Sequence, residues 1–353
     1  DGENLLSPKG SDEQFLLFVS AVLQAVDEYP ELLRVAAASA GNDHRLGGHE
    51  APPAVLSVFI GDDLEHRIQN FIYNKKKESS TNASLNVEVH SLPKFFQDTS
   101  DRNRTSPFAF TGNKFEFRML GSSQSIACSN INLNTAVADV LCRFADQLEA
   151  SSEDLSTAIR KVVQTSYEQH KRIIFNGDGY AKEWIDEAER RGLLNLPTTA
   201  DTLPCYLNQK NIALFERHKI FTAAELRGRY EILLENYNNV NSIEAYTMLS
   251  IVRKQILPSV MEYTRFLSET ISAKKAAIAS IDTSCEEDLL IQLQDIYVRA
   301  YHKTKKLSDA MEESGKEDKQ QEAYYFKEVV LPLMEDLRVD CDLLETFVAK
   351  EFW

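Results

Sequence analysis

Between residues 14 and 38, apolar side chains return at helical spacing. Phe15, Phe18, Val19, Val22 and Val26 share one face, which predicts an amphipathic helix over 14–38. Pro30 lacks an amide hydrogen and its ring crowds the preceding turn, so the helix is expected to break or kink near Tyr29. Residues 41–53 carry Gly41, Gly47, Gly48, Pro52 and Pro53 and predict a loop of irregular backbone. The run 54–60 is rich in β-branched and aromatic residues and predicts a strand, and 64–74 reads as a helix. Polar residues over 78–86 and 103–106 predict loops. Residues 114–119 alternate polar and apolar with period two. That pattern predicts a half-buried strand with Lys114, Glu116 and Arg118 on one face. An amphipathic helix is expected over 132–148.

The character changes near residue 152, and nearly everything beyond is helical. Thr222 and Glu225 have the spacing of a capping box ahead of a long helix. A helix over 242–279 is expected to break near Pro258. Another runs over 286–313 with Ser284 as its cap, and Leu289, Leu293, Ile296 and Ala300 mark a bundle seam. The last helix repeats that spacing at Val330, Met334, Leu337, Cys341, Leu344 and Val348, with Pro332 kinking it or sitting near its start. The fold class is therefore α+β: an α/β region over residues 1–151, with an antiparallel sheet and helices, followed by a helical bundle over 152–353.

Composition narrows the function. The net charge of −15 repels nucleic-acid phosphates, and the only basic run, Lys75–Lys77, is followed by Glu78, so nucleic acid is not expected as a partner. The five cysteines are scattered without a CxxC pair. This argues against a disulfide framework or zinc site and fits a reducing compartment, with a cytoplasmic location expected. No apolar run reaches the length of a membrane span.

Three segments gather charge in places suited to chemistry. They are Arg45 to Pro52, which contains Glu50; Asn103-Arg104-Thr105-Ser106; and the strand with Lys114, Glu116 and Arg118. Arginine binds carboxylates and phosphates through a planar fork, and a face bearing Lys, Glu and Arg could hold a phosphate, a metal and a carboxylate side by side. Such an arrangement suits phosphoryl transfer, where positioning and charge neutralisation supply most of the catalysis. The same face is also what the solvated side of an antiparallel sheet looks like. The histidines, among them His44, His49, His170 and His218, are expected to be solvated.

The order and spacing of these segments resemble the glutamine synthetase family. Its patterns read Arg-Leu-x-Pro-Gly-x-Glu-Ala-Pro, then Asn-Arg-Ser, then Arg-x-Glu-x-Arg. The flanking Asn42-Asp43-His44-Arg45 and residues 105–112, with Arg172 to Tyr180 and Arg229 to Asn236 further on, look like the type III class. The resemblance implies a C-terminal half of the catalytic chain, with residues 1–151 finishing the catalytic domain and 152–353 forming the helical extension. It implies ATP-dependent ligation of ammonia to L-glutamate through γ-glutamyl phosphate, with ATP as substrate and Mg²⁺ or Mn²⁺ as metal. By it, Arg45 and Arg118 bind glutamate and Glu50 accepts the ammonium proton. Arg104 neutralises the transferring phosphoryl group, Lys114 contacts nucleotide phosphate and Glu116 ligates a metal. It also implies a homo-oligomer, a dodecamer of two hexameric rings.

Two departures stand out. Gly47-Gly48 replaces Pro-Gly, and Pro107-Phe108-Ala109 stands where many relatives carry a further arginine. The family's paired metal-binding glutamates and its glycine-rich histidine segment would precede residue 1, so the chain by itself is expected to be inactive. The alternatives are a related carboxylate–amine ligase and a non-catalytic helical interaction module.

Overall fold

The break expected near Tyr29 occurs there, and Pro30 starts the next helix. In the computed structural model, which describes residues 4–7, 12–47, 51–73 and 105–353, α1 spans Asp12–Glu28 and α2 spans Pro30–Ala36. Proline sits in the first turn of α2, where an amide hydrogen has no partner to lose. A third helix, α3 over Ala40–Arg45, occupies the start of the segment expected to be a loop. Gly41 is a poor helix former, but Ser39 caps the helix, its Oγ accepting from the Asn42 amide. The side chains of Asn42 and Asp43 then tie the short helix into the fold, and tertiary anchoring outweighs local propensity.

The strand expected over 54–60 contracts to β1, Val58–Phe59. After α4, Asp62–Tyr73, come β2, Phe108–Phe110, and β3, Phe115–Phe117. The sheet order is β1-β2-β3. The β2–β3 pair is antiparallel as expected, with Phe108 opposite Phe117, but β1 and β2 run parallel, so the sheet is mixed. A long helix-bearing connection separates β1 from β2, and crossovers of that kind join parallel strands. The sequence reading has no strand at β2. Phe108, Ala109 and Phe110 are all buried, so no polar alternation marks it.

The core lies between this sheet and the helices. Helix α1 packs against both α5, Ala127–Glu149, and α6, Leu155–His170. Phe15, Val19 and Val26 of α1 share one cluster with Val58, Phe108, Phe110, Met119, Ile159 and Val163. Phe15 and Phe110 meet with ring centroids 5.9 Å apart, and Phe110 and Phe115 at 5.2 Å. Burial of such residues is the main favourable term in folding.

A segment from the C-terminal region closes the sheet. The Phe175 amide donates to the Val58 carbonyl at 2.9 Å, beside β1. Asn176 Oδ1 accepts from the amides of Ile60 and Gly61 at 3.2 and 3.0 Å, serving backbone groups ahead of α4. Phe175 stacks on Trp184 of α7, Lys182–Arg190, at 3.6 Å between centroids. The Gly179 amide donates to Thr105 Oγ1 at 2.9 Å, and a Cβ at this position would lie 2.5 Å from the Thr105 carbonyl oxygen. Two histidines expected to be solvated instead hold buried carboxylates. His170 lies 2.7 Å from Asp27, which Arg172 also binds, and His218 lies 3.0 Å from Asp139, beside Arg217.

The remaining helices are α8, Thr199–Thr202; α9, Gln209–Arg217; α10, Ala223–Ile251; α11, Leu257–Ala277; α12, Ser284–Glu312; α13, Lys319–Tyr325; and α14, Leu331–Phe347. The capping box forms as expected. The Thr222 amide donates to Glu225 Oε2 at 2.8 Å, and the Glu225 amide to Thr222 Oγ1 at 3.3 Å. Ser284 is the first residue of α12 rather than its cap, which is Thr283. The break expected near Pro258 does not occur. A π-helical turn over Val252–Ile256 precedes Leu257-Pro258, and a second over Phe326–Val330 precedes Leu331-Pro332. The wider turn moves carbonyls away from the proline ring and lets each helix continue.

The chain packs as two compact units, Asp1–Tyr230 and Glu231–Trp353. This division falls inside α10, later than the change of character at 151/152. In the second unit α12 packs against both α11 and α14, burying Leu293, Ile296, Ala300, Leu337, Cys341 and Leu344. Among the described residues, no helix is long and apolar enough to cross a membrane.

Glycine positions give a paired prediction. Gly179→Ala is expected to destabilise the protein by about 1–3 kcal/mol, because the new methyl meets a backbone oxygen that cannot rotate away. Gly41→Ala, in α3 with open space around it, is expected to be neutral or to stabilise by up to about 1 kcal/mol. Denaturant unfolding of both variants checks this, and equal effects would contradict it.

Candidate functional site

The alternation in β3 sets the site. Phe115 and Phe117 pack against the core cluster, which leaves Glu116 on the opposite face with Lys114 and Arg118. Beyond the strand, the Arg118 amide still donates to the Pro107 carbonyl at 2.9 Å, so the pairing continues to the start of the next loop. The three charged side chains meet. Arg118 places Nη2 at 3.0 Å and Nε at 3.3 Å from Glu116 Oε2. Lys114 Nζ lies 3.4 Å from Glu116 Oε1, to which the Thr111 hydroxyl also donates at 3.4 Å. The pairing runs along one strand rather than between strands.

Glu116 therefore sits between two cations. The hydrogen bond from Arg118 is the largest influence on it and holds the carboxyl below the usual glutamate range. Partial burial opposes this, and Lys114 adds to it.

Arg45 reaches the same place from α3. Its Nε donates to Asn42 Oδ1 at 2.9 Å and its Nη2 to the Met119 carbonyl at 2.8 Å. Met119 directly follows Arg118, so Arg45, 74 positions before Met119, is tied to the chain just beyond β3. Asn42 is buried, and its Nδ2 donates to the carbonyls of Ala37 at 2.6 Å and Met119 at 2.8 Å. Asp43 anchors the other side of α3. It pairs with the buried Arg34 at 3.0 Å and accepts from the Thr199 amide and hydroxyl. Gln124 completes the frame, accepting from the Gly121 amide and donating to Ser39 Oγ. Tyr180 stands near this guanidinium. Burial and Asp178 raise its hydroxyl's pKa, and Arg45 pulls it back.

Of the residues singled out in the sequence, Arg45, Lys114, Glu116 and Arg118 thus belong to one connected assembly. Glu50 and Arg104 lie outside the described residues. His44 is exposed. Residues Asn42, Asp43 and Gln124 were not singled out for any role. The signal for Asn42 was present, three residues before Arg45, but it is legible only once the segment is known to be a helix. The stretch Pro107-Phe108-Ala109 is buried and leads into β2.

A divalent cation needs several oxygen ligands. Among the described residues, no group of three or more His, Cys, Asp or Glu side chains could hold a metal ion. Glu116 offers one carboxylate, flanked by two cations. This donor set fits a single ligand position and is not a metal site alone. The assembly is better suited to anions, since Lys114 and Arg118 flank one acid and Arg45 is tied to the residue that follows Arg118.

Known proteins match this chain over nearly its whole length. Residues 158–275 match the family model of the glutamine synthetase C-terminal domain. The chain is 37% identical over 363 residues to a glutamine synthetase of Butyrivibrio fibrisolvens, covering 99% of this chain and 51% of the relative. It is 35% identical over 364 residues to the type-3 glutamine synthetase of Dictyostelium discoideum, covering 100% of this chain and 49% of the relative. A glutamine synthetase of Bacteroides fragilis is 33% identical over 363 residues, with 98% of this chain and 49% of the relative covered. The chain spans about half the length of these relatives.

The ion pair predicts a titration. Because the folded-state pKa of Glu116 is depressed, the stability it contributes is complete above the ordinary glutamate value. That contribution is lost as the pH falls through the lowered value. Carboxyl-resolved NMR titration is expected to find Glu116 below the usual range and Arg118→Ala returning it toward that range. An unshifted parent would contradict the pairing.

Proposed function

The chain belongs to the glutamine synthetase family, and from that premise we propose that it supplies part of the active site of a type III, ATP-dependent glutamate–ammonia ligase. The observation that best supports the reading is the convergence of Arg45 with the Lys114-Glu116-Arg118 face through the Met119 carbonyl. Two motifs far apart in the chain are joined into one anion-binding surface. A merely solvated ion-pair face would not need the buried Asn42 that holds Arg45, nor the Asp43 anchor of the same short helix.

In the proposed reaction the γ-carboxylate of L-glutamate attacks the terminal phosphorus of ATP, and ADP leaves. Ammonia then attacks the acyl carbon, inorganic phosphate leaves, and one proton is lost. Arg45 holds a glutamate carboxylate in its remaining guanidinium edge. Arg118, one residue before the carbonyl that Arg45 holds, binds substrate and the phosphoryl oxygens as charge shifts onto them, a contribution worth most where water is excluded. Lys114, the most exposed of the three, supplies a point charge for nucleotide phosphate. By the family pattern, Glu50 takes the proton of ammonium, since only neutral ammonia is nucleophilic, and Arg104 neutralises the transferring group.

Mg²⁺ or Mn²⁺ would neutralise the phosphates of bound ATP, with Glu116 as one of its ligands. The low pKa of Glu116 keeps it ionised for such a role. The proposed assembly is a homo-oligomer, a dodecamer of two hexameric rings, in the cytoplasm.

The test is ATP-dependent glutamine formation by the full-length protein. Activity is expected in the parent, with Glu50→Ala and Arg118→Ala each losing at least about 100-fold in kcat. Lys114→Ala is expected to raise KM for ATP more than it lowers kcat. ATP turnover with a different acid or amine, and none with glutamate and ammonia, would replace this reading by a related ligase.

A further inference from the structure

We infer that Asn42 is the positioning residue of the glutamate site, acting through Arg45. The inference rests on the role proposed above for Arg45.

An arginine side chain carries several rotatable bonds, and its fork is useful only when its plane is fixed. Asn42 fixes it. Its Oδ1 accepts from Arg45 Nε, while its Nδ2 is spent on the carbonyls of Ala37 and Met119. The amide is thereby oriented by two backbone groups and can present only its oxygen to Arg45. The Met119 carbonyl then takes Arg45 Nη2, so Nε and one hydrogen of Nη2 are held by the protein. Among the described residues no hydrogen bond uses Nη1, and the outer edge of the fork is left for a carboxylate.

The support is itself rigid. Asn42 is buried at 4% exposure, and the next residue, Asp43, is locked by Arg34 and by Thr199. Gly121 lines the remaining side. A Cβ there would lie 3.4 Å from Asn42 Oδ1 and 3.9 Å from Arg45 Nε, so the pocket behind the pair is nearly full. Asn42 makes no direct claim on substrate. Its effect is on where the guanidinium points.

The experiment is a double-mutant cycle in the full-length protein, with kcat and the KM values for glutamate and ATP measured separately. Asn42→Ala is expected to raise KM for glutamate about ten- to a hundredfold, the worth of one hydrogen bond to a charged group, with KM for ATP unchanged. In an Arg45→Ala background, Asn42→Ala is expected to add no further loss in kcat/KM for glutamate. Additive losses, or parallel loss for both substrates, would make Asn42 merely structural and overturn the inference.

Asn42→Asp covers the case in which the alanine variant does not fold. It keeps an acceptor for Arg45 Nε and loses the donors to Ala37 and Met119. It is expected to lower the unfolding midpoint while holding KM for glutamate within about threefold of the parent. A rise beyond that would overturn the inference. If Arg45→Ala leaves KM for glutamate unchanged, the role of Arg45 itself fails. If Arg45→Ala raises it and Asn42→Ala does not, only the inference about Asn42 fails.

Discussion

The carbonyl oxygen of Met119 is the point on which the candidate site depends. It accepts from Asn42 Nδ2 and from Arg45 Nη2, both at 2.8 Å, and it belongs to the residue that follows Arg118. A carbonyl has two acceptor positions, and here both are filled by side chains of one short helix. The Met119 side chain is fully buried in the main core. The oxygen is therefore carried by a residue that cannot drift, and Arg45 inherits that fixity. A buried carbonyl deprived of its partners costs about 1–3 kcal/mol, so stability and site geometry are held by the same bonds.

The burial of β2 explains why the chemistry lies where it does. Phe108 and Ala109 are fully buried and Phe110 nearly so, paired on one side by β1 and on the other by β3. A strand enclosed in this way has no face for a charged side chain, because an unpaired charge there would be strongly disfavoured. Charge is displaced to the edge strand β3 and to the segments that meet its end. The C-terminal region contributes to the same frame. Ile174 and Phe175 extend the sheet beyond β1, Asn176 serves the amides ahead of α4, and Gly179 presses against Thr105. The run from Arg172 to Tyr180 is therefore structural at nearly every position, which gives a physical reason for its composition.

Much of this was legible in the sequence. Period-two alternation placed Lys114, Glu116 and Arg118 on one face, and period 3.6 found α1, α5 and the seams of α12 and α14. The capping box at Thr222 and Glu225 was readable because both halves of the motif are local. What was lost depends on distant partners. Helix α3 was hidden by Gly41, because its stability comes from Arg34, Thr199 and Met119 rather than from propensity. Strand β2 was hidden because a short, wholly buried run has no period. The π turn ahead of Pro258 was read as a break, since a proline's signature does not show whether the preceding turn can widen, whereas Pro332 sits near the start of its helix as expected. His170 and His218 were read as solvated because only the fold shows Asp27 and Asp139 beneath them.

The charge of the whole chain and the charge of the site have opposite signs. The chain carries −15, yet Lys114 and Arg118 flank Glu116, for a local excess of one positive charge, and Arg45 is tied to the residue after Arg118. At physiological ionic strength charges are screened beyond about 8 Å, so an anion arriving at β3 responds to these cations and little to the acidic surface. The long-range field slows the approach of an anion, and the local cluster determines what is held. Glu116 sharpens the selection. Its pairing with Arg118 and Lys114 keeps it ionised and offers a second sign of charge within one strand. A ligand that brings both an anion and a cation can then satisfy the face fully, whereas an anion alone must compete with Glu116 for Arg118. A phosphate accompanied by a metal ion meets that condition and a bare carboxylate does not. In the proposed reaction the labour is thereby divided between the β3 face and the outer edge of Arg45.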